Sequence, residues 1–322
     1  GGDAQGDDIS NVENVFGSAN ADTITGDAGV NALFGLAGDD TLDGGGGNDT
    51  LDGGAGSDTY NWAASDGTDT IVDTGTGGGD YDVINLTGAG GAWQLTSTFS
   101  GATSGIEEII GDGDVETLGL AGSGVALNWD FSAITLTNVD RIRGSSASDT
   151  IIGSDGDDTI AGQGGADTLT GGLGTDTLDY ADDTTGVNVN LTTNAVSGGD
   201  AQGDVISGFE NVTGGTGNDT LTGTSGANVI SGGGGDDVIA GLGGADTLTG
   251  GAGTDTLDYS ADTTGVSINL ESGFTADGDA AGDVISGFEN VTGGTGNDTL
   301  TGTSGANVIS GGSGNDALRG DG

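Results

Sequence analysis

A nine-residue period constrains this chain more than any other feature. Residues 44–61, GGGGNDTLDGGAGSDTYN, are two phrases that each open on two glycines, place aspartate sixth and a large apolar side chain eighth. The register G-G-x-G-x-D-x-U-x, with U apolar, runs without gaps through 17–61, 144–179, 214–258 and 293–319, giving seventeen nonads. The sixth place holds Asp22, Asp40, Asp49, Asp58, Asp149, Asp158, Asp167, Asp176, Asp219, Asp237, Asp246, Asp255, Asp298 and Asp316, with Asn31, Asn228 and Asn307 as the only exceptions. The eighth place holds Leu, Ile or Tyr60.

Such a phrase has a direct structural reading. The x-U-x piece is a strand of about three residues with U turned inward and its neighbours outward. The glycine-rich remainder turns the chain, because glycine permits positive φ and close backbone approach. Two nonads then close one coil, and coils stack in parallel over a thin apolar core. The expected fold is all-β: an elongated parallel β-roll, or β-solenoid, with two nonads per coil.

That core alone is a weak support. Glycine supplies 74 of 322 residues, and ordering it is costly. The chain carries 51 acids against three bases, all arginine, for a formal charge of −48. Aspartates stacked at every second nonad repel one another, so without cations a disordered chain is the expectation. A hard divalent cation answers both problems. Ca²⁺ takes six to eight oxygen ligands, which carboxylates and free carbonyls in a turn supply. Roughly one ion per nonad would cancel about 34 of the 48 negative charges.

Composition also excludes functions. A chain this acidic is repelled by nucleic acid and anionic membrane surfaces. No apolar run reaches the roughly 18–20 residues of a membrane helix. There is no Cys or His, hence no disulfide, thiolate nucleophile, serine–histidine–aspartate triad or zinc-protease site. The segment is read as not itself an enzyme.

The repeats closely resemble the repeats-in-toxin (RTX, hemolysin-type) family, whose nonapeptide binds calcium. The resemblance covers the four blocks strictly and implies a parallel β-roll. It implies calcium between adjacent turns, held by the sixth-place carboxylates and by carbonyls of the glycine-rich places. It further implies type I secretion from a Gram-negative cell and folding on external calcium. Asn31, Asn228 and Asn307 each lose a charge and are weaker candidate ligands.

A larger unit overlies the nonads. Residues 171–240 realign on 250–319 at a shift of 79, and 1–61 realign on 198–258. Block one with its leading connector spans 1–61; blocks two, three and four are 144–179, 214–258 and 293–322. Connectors 180–213 and 259–292 alternate like half-buried strands, as at Val187, Val189 and Leu191, so the solenoid is expected to run through them. The chain opens with GGDAQGD and stops inside a nonad at Asp321–Gly322, which reads as a segment of a longer protein.

The irregular stretch is 62–143, more than twice as long as either of those connectors. It holds Trp62, Trp93, Trp129, Arg141 and Arg143. These are either core fillers of wider coils or a contact surface, since aromatic residues and arginine anchor interfaces. Three functions stand open: a structural or adhesive segment of a secreted surface protein, such as a surface layer, filament or adhesin; the calcium-folding export or stabilising module of a secreted polysaccharide-modifying enzyme or hydrolase; and ice binding through outward threonines. Expected partners are calcium, further copies or neighbouring segments, and a cell-surface glycan.

Overall fold

The computed structural model describes residues 12–75, 80–88, 92, 93, 95, 98–113, 117–119 and 124–320. The GGDAQGD opening and the Asp321–Gly322 end lie outside the described residues. The x-U-x triplets form strands such as Thr41–Asp43, Thr168–Thr170, Thr220–Thr222 and Thr256–Asp258. Their central residues Leu42, Leu169, Leu221 and Leu257 are fully buried, each contributing about 1.5–3 kcal/mol by leaving water. Helix among the described residues is confined to Gly101–Ser104 and the 3₁₀ turns Gly199–Ala201 and Gly278–Ala280. None is long and apolar enough to cross a membrane.

The turns need their glycines. At Gly56 φ is +133°, and an added Cβ would strike the carbonyl of Gly38, one coil earlier. The chain folds as two compact units whose boundary falls at Ile160/Ala161, with Gly172–Gly174 belonging to the first.

In the first unit, Thr23 pairs with Thr41 and Thr41 with Thr59 in one parallel ladder, and Ala32 with Thr50 in another. Each step spans two nonads, which confirms that two nonads make one coil. The first ladder continues from Thr59–Ala63 into Val83–Thr87, Glu108–Ile110 and Thr135–Thr137, so parallel pairing runs on inside 62–143.

The tryptophans of that stretch are inside. Trp62, Trp93 and Trp129 are 1%, 1% and 0% exposed. The Trp93 indole N–H donates to the Trp62 carbonyl at 2.9 Å, and Trp129 meets Phe131 edge-on at 6.1 Å. Side chains so placed fill wider coils and offer a partner no anchor, which corrects the contact reading for all three. Arg141 and Arg143 flank the buried Ile142 on a short strand and are half-buried.

In the second unit, one parallel ladder joins Thr177–Asp179, Asn211–Thr213, Val229–Gly234, Thr247–Ala252 and Val284–Ser286. Another joins Asn188–Asn190, Thr220–Thr222, Val238–Ala240, Thr256–Asp258, Asn290–Thr292 and Ile309–Ser310. Val187, Val189 and Leu191 are buried as the connector alternation predicts. Each connector also folds back on itself, which the alternation does not reveal. Asn188–Asn190 pairs antiparallel with Ala195–Ser197, and Ser267–Asn269 with Phe274–Ala276. The outward row Asn188, Thr220, Val238, Thr256, Asn290 is not a threonine array, and ice binding loses its surface on that sheet.

Candidate metal centre

The sixth place immediately precedes a strand, so its acid sits at the corner where turn becomes ladder. There the backbone N–H of a sixth-place residue donates to the Oδ1 of the acid one coil on. The links run Asp22 to Asp40 to Asp58, Asn31 to Asp49, Asp219 to Asp237 to Asp255, Asn228 to Asp246, and Asp298 to Asp316, at 2.7–3.0 Å. In the first unit Asp149 Oδ1 accepts from Leu127 N–H at 2.7 Å. Most of these acids are buried, including Asp40, Asp49, Asp58, Asp149, Asp158, Asp167, Asp176 and Asp298; Asp22 and Asp316 are half-buried.

The column does not stop where the nonads do. Asp49 donates to Asp69 Oδ1, Asp58 to Asp82 Oδ1, and Asp82 to Glu107 Oε2, at 2.7–2.9 Å. In the second unit Asp167 and Asp246 donate to Asp204 and Asp283, while Asp176 and Asp255 donate to Glu210 and Glu289, all at 2.9 Å. Sequence reading overlooked all seven acceptors because they fall out of the nine-residue register, lying 20 to 37 residues beyond the acid that donates to them. Their signal was nonetheless present: each stands directly before an x-U-x triplet, as in Asp204-Val205-Ile206 and Glu289-Asn290-Val291.

The second carboxylate oxygen divides the turns into two kinds. In the first two nonads of each block, the second-place N–H donates to the sixth-place side chain of the same nonad. Ser18, Asp27, Ser145, Ser154, Gly215, Thr224, Gly294 and Thr303 all do so, at 2.6–3.1 Å. Later nonads differ. Leu36, Gly45, Gly54, Gly233, Leu242 and Gly251 take φ between +68° and +115°, which points the N–H elsewhere. The Oδ2 atoms of Asp40, Asp49, Asp58, Asp237, Asp246 and Asp255 are then buried and accept no hydrogen bond. The same φ sign recurs at second places Gln163, Gly172 and Gly312. A leucine or glutamine held left-handed costs roughly 1–2 kcal/mol, and such strain marks functional sites.

At Asp40, Asp237 and Asp255 the open oxygen has a carbonyl oxygen beside it. Asp40 Oδ2 lies over the Cα of first-place Gly35, where an added Cβ would collide with it and stand 2.6 Å from the Gly53 carbonyl oxygen. Gly232 stands in the same relation to Asp237 Oδ2 and the Gly250 carbonyl. A carboxylate oxygen and a carbonyl oxygen thus converge with no donor between them. Burial, then neighbouring aspartates, push these carboxyls above their ordinary range, Asp237 and Asp246 to about 6.

The RTX calcium-binding nonapeptide repeat, a unit of four copies, matches residues 10–42, 25–60, 143–178, 199–239, 213–248, 231–263 and 292–322, more than half of the chain. The chain belongs to this family. Its RTX repeats bind calcium, and calcium is its partner. Whole-sequence comparison with curated proteins finds no match.

The RTX donor set fits a hard cation at the open turns: all oxygen, anionic and lacking internal donors. At two closed turns an asparagine amide occupies the turn. Asn228 Nδ2 donates to the Glu210 carbonyl and to Thr224 Oγ1, and Asn307 Nδ2 to the Glu289 carbonyl and Thr303 Oγ1.

Proposed function

We propose that the chain is a calcium-dependent structural segment of a secreted surface protein, such as a surface layer, filament or adhesin. Its ions are held at the open turns by Asp40, Asp49, Asp58, Asp167, Asp176, Asp237, Asp246, Asp255 and Asp316 with the glycine carbonyls beside them. The observation that carries this reading is the set of buried, unaccepting Oδ2 atoms, with a carbonyl oxygen beside them at Asp40, Asp237 and Asp255. Bound calcium supplies positive charge and a shared centre for oxygens that otherwise repel. The chain itself supplies the spacing: its N–H to Oδ1 links set each coil on the next. The closed turns need no ion, so fewer than one ion per nonad is expected.

Secretion to a calcium-rich exterior suits a chain of charge −48, which has little to hold it folded where free calcium is scarce. Tandem copies of a connector with its block suit a spacer, and association with further copies, neighbouring segments or a surface glycan suits a layer or adhesin. Circular dichroism should show a disordered chain in chelator and cooperative gain of β-structure at calcium concentrations on the order of 10⁻⁴–10⁻³ M. Magnesium should replace calcium poorly, because it demands tight octahedral geometry. Equal structure in chelator defeats the calcium scheme. Light scattering over the same titration tests the surface role: a full-length protein that folds yet stays monomeric at high concentration transfers the reading to an export or stabilising module.

A further inference from the structure

In the first unit the period breaks after the nonad that ends at Asn61, and acids from three segments meet there. Asp58, Asp73 and Asp82 each bring one carboxylate oxygen to within 4.8 Å of the other two. They are 0%, 6% and 1% exposed. Asp58 and Asp82 are successive members of the acid column. Asp73 is not. Thr70 and Ile71 pair with Thr50 and Leu51, and two residues further on this register sets Asp73 opposite Gly53, a first-place glycine. Coils below present a glycine in that row, as Gly35 does opposite Gly17. This coil presents a carboxylate.

The backbone prepares the same spot. Gly54, left-handed at +94°, turns its N–H away from Asp58 and donates it to Asp73 Oδ1 at 3.0 Å. Asp58 Oδ2, released in this way, lies over the Cα of Gly53, the residue that Asp73 faces. It is buried and accepts no hydrogen bond. The Tyr60 hydroxyl accepts the Gly53 N–H at 2.8 Å, and burial followed by the charges of Asp73, Asp58 and Asp82 pushes its pKa up. The second unit resolves its own breaks differently. There Tyr180 and Tyr259 hydroxyls donate to Asp204 Oδ2 and Asp283 Oδ2 at 2.9 and 2.6 Å, so those acids are already served.

We propose that Asp58, Asp73 and Asp82 form a divalent-cation site of higher charge than the repeat sites, in which the open oxygen of Asp58 serves this ion in place of a repeat site, and that it fills first. Its donors are carboxylate oxygens only, the class that takes calcium, and affinity in such sites rises with ligand charge. Tyr60, beside the three acids, reports its occupancy. The inference rests on the reading that the chain folds around calcium.

The test uses the full chain, with terbium as the probe and emission read under tyrosine excitation. The parent should bind its first terbium equivalent tightly and with sensitised emission. Asp73→Asn should shift that phase to at least about tenfold higher terbium while still folding in calcium by circular dichroism. Tyr60→Phe, which removes no charge, should keep the affinity by calcium competition and lose emission from the first equivalent. If Asp73→Asn fails to fold, Tyr60→Phe decides: unchanged first-equivalent emission overturns the site. A parent that stays unfolded in calcium defeats the broader reading. A parent and Asp73→Asn that fold alike and bind the first equivalent alike defeat only the three-acid site.

Discussion

Asp40 donates its backbone N–H to Asp58 Oδ1 at 2.7 Å, while Asp58 Oδ2, on the same carboxyl, accepts nothing. One side chain thus performs two tasks, joining coils through one oxygen and leaving the other for a cation. The tasks separate on substitution.

Asp237→Asn keeps an acceptor for Asp219 N–H but removes the charge. With the Asp237 carboxyl raised to about 6 by burial and by Asp219 and Asp255, its charged form at neutral pH opposes the cation-free fold. Circular dichroism should therefore show the variant with more residual β-structure than the parent in chelator, and thermal melts should show it less stable than the parent in calcium. A change of the same sign in both buffers would contradict the two-task account.

Acid should partly replace calcium. Asp237, Asp246 and Asp69 are raised to about 6 and Asp82 to about 7, with burial the leading cause. The unfolded chain holds these protons only below its ordinary carboxyl range, so the folded state binds more protons between the two limits. Their stabilisation is fully present below about pH 4 and is lost as pH rises through 6 to 7. In chelator, β-structure followed by circular dichroism should grow as pH falls from 8 to 5. No gain over that window refutes the linkage.

Gly35→Ala and Gly46→Ala test the cradle. A Cβ on Gly35 would collide with Asp40 Oδ2 and the Gly53 carbonyl, whereas one on Gly46 meets Ala28 at an ordinary 3.5 Å. Gly35→Ala should cost about 1–3 kcal/mol and raise the calcium midpoint. Gly46→Ala should be neutral or stabilising by about 0.4–1 kcal/mol. Equal effects in denaturant melts with calcium would remove the cradle.

Glu289 ends a column by accepting the Asp255 N–H at 2.9 Å. Glu289→Ala leaves that donor without its acceptor and should cost about 1–3 kcal/mol. Glu289→Gln keeps an acceptor and should recover most of the loss. Matching melts for the two variants would mean that the glutamate acts by charge alone.

The sixth and eighth places were legible in the sequence because each repeats one chemical demand at a fixed interval. The period alone places Asp40 at the corner and Leu42 in the core. It does not place Asp73, Asp82 and Glu107, since their coils differ in length and the period that exposes Asp40 vanishes around them. The left-handed φ of Leu36, Gln163 and Leu242 was equally hidden. At a place that usually holds glycine, a leucine looks like a harmless exchange, yet its backbone obeys the same turn. The buried tryptophans show the limit of composition: Trp62, Trp93 and Trp129 cluster in sequence because wide coils need large fillers.

The chain between stacked acids is about twice as long from Asp167 to Asp204, and again from Asp246 to Asp283, as from Asp237 to Asp255, yet all three links are 2.9 Å long. The joint between coils is indifferent to how much chain is looped out between them. A gene for such a protein can lengthen by tandem duplication of a connector with its block, because each new copy ends on the same acid that the next one needs. The largely exposed hairpin turns at 193–194 and 271–273 are then the places where a foreign peptide can be spliced in without the coils above and below registering its arrival.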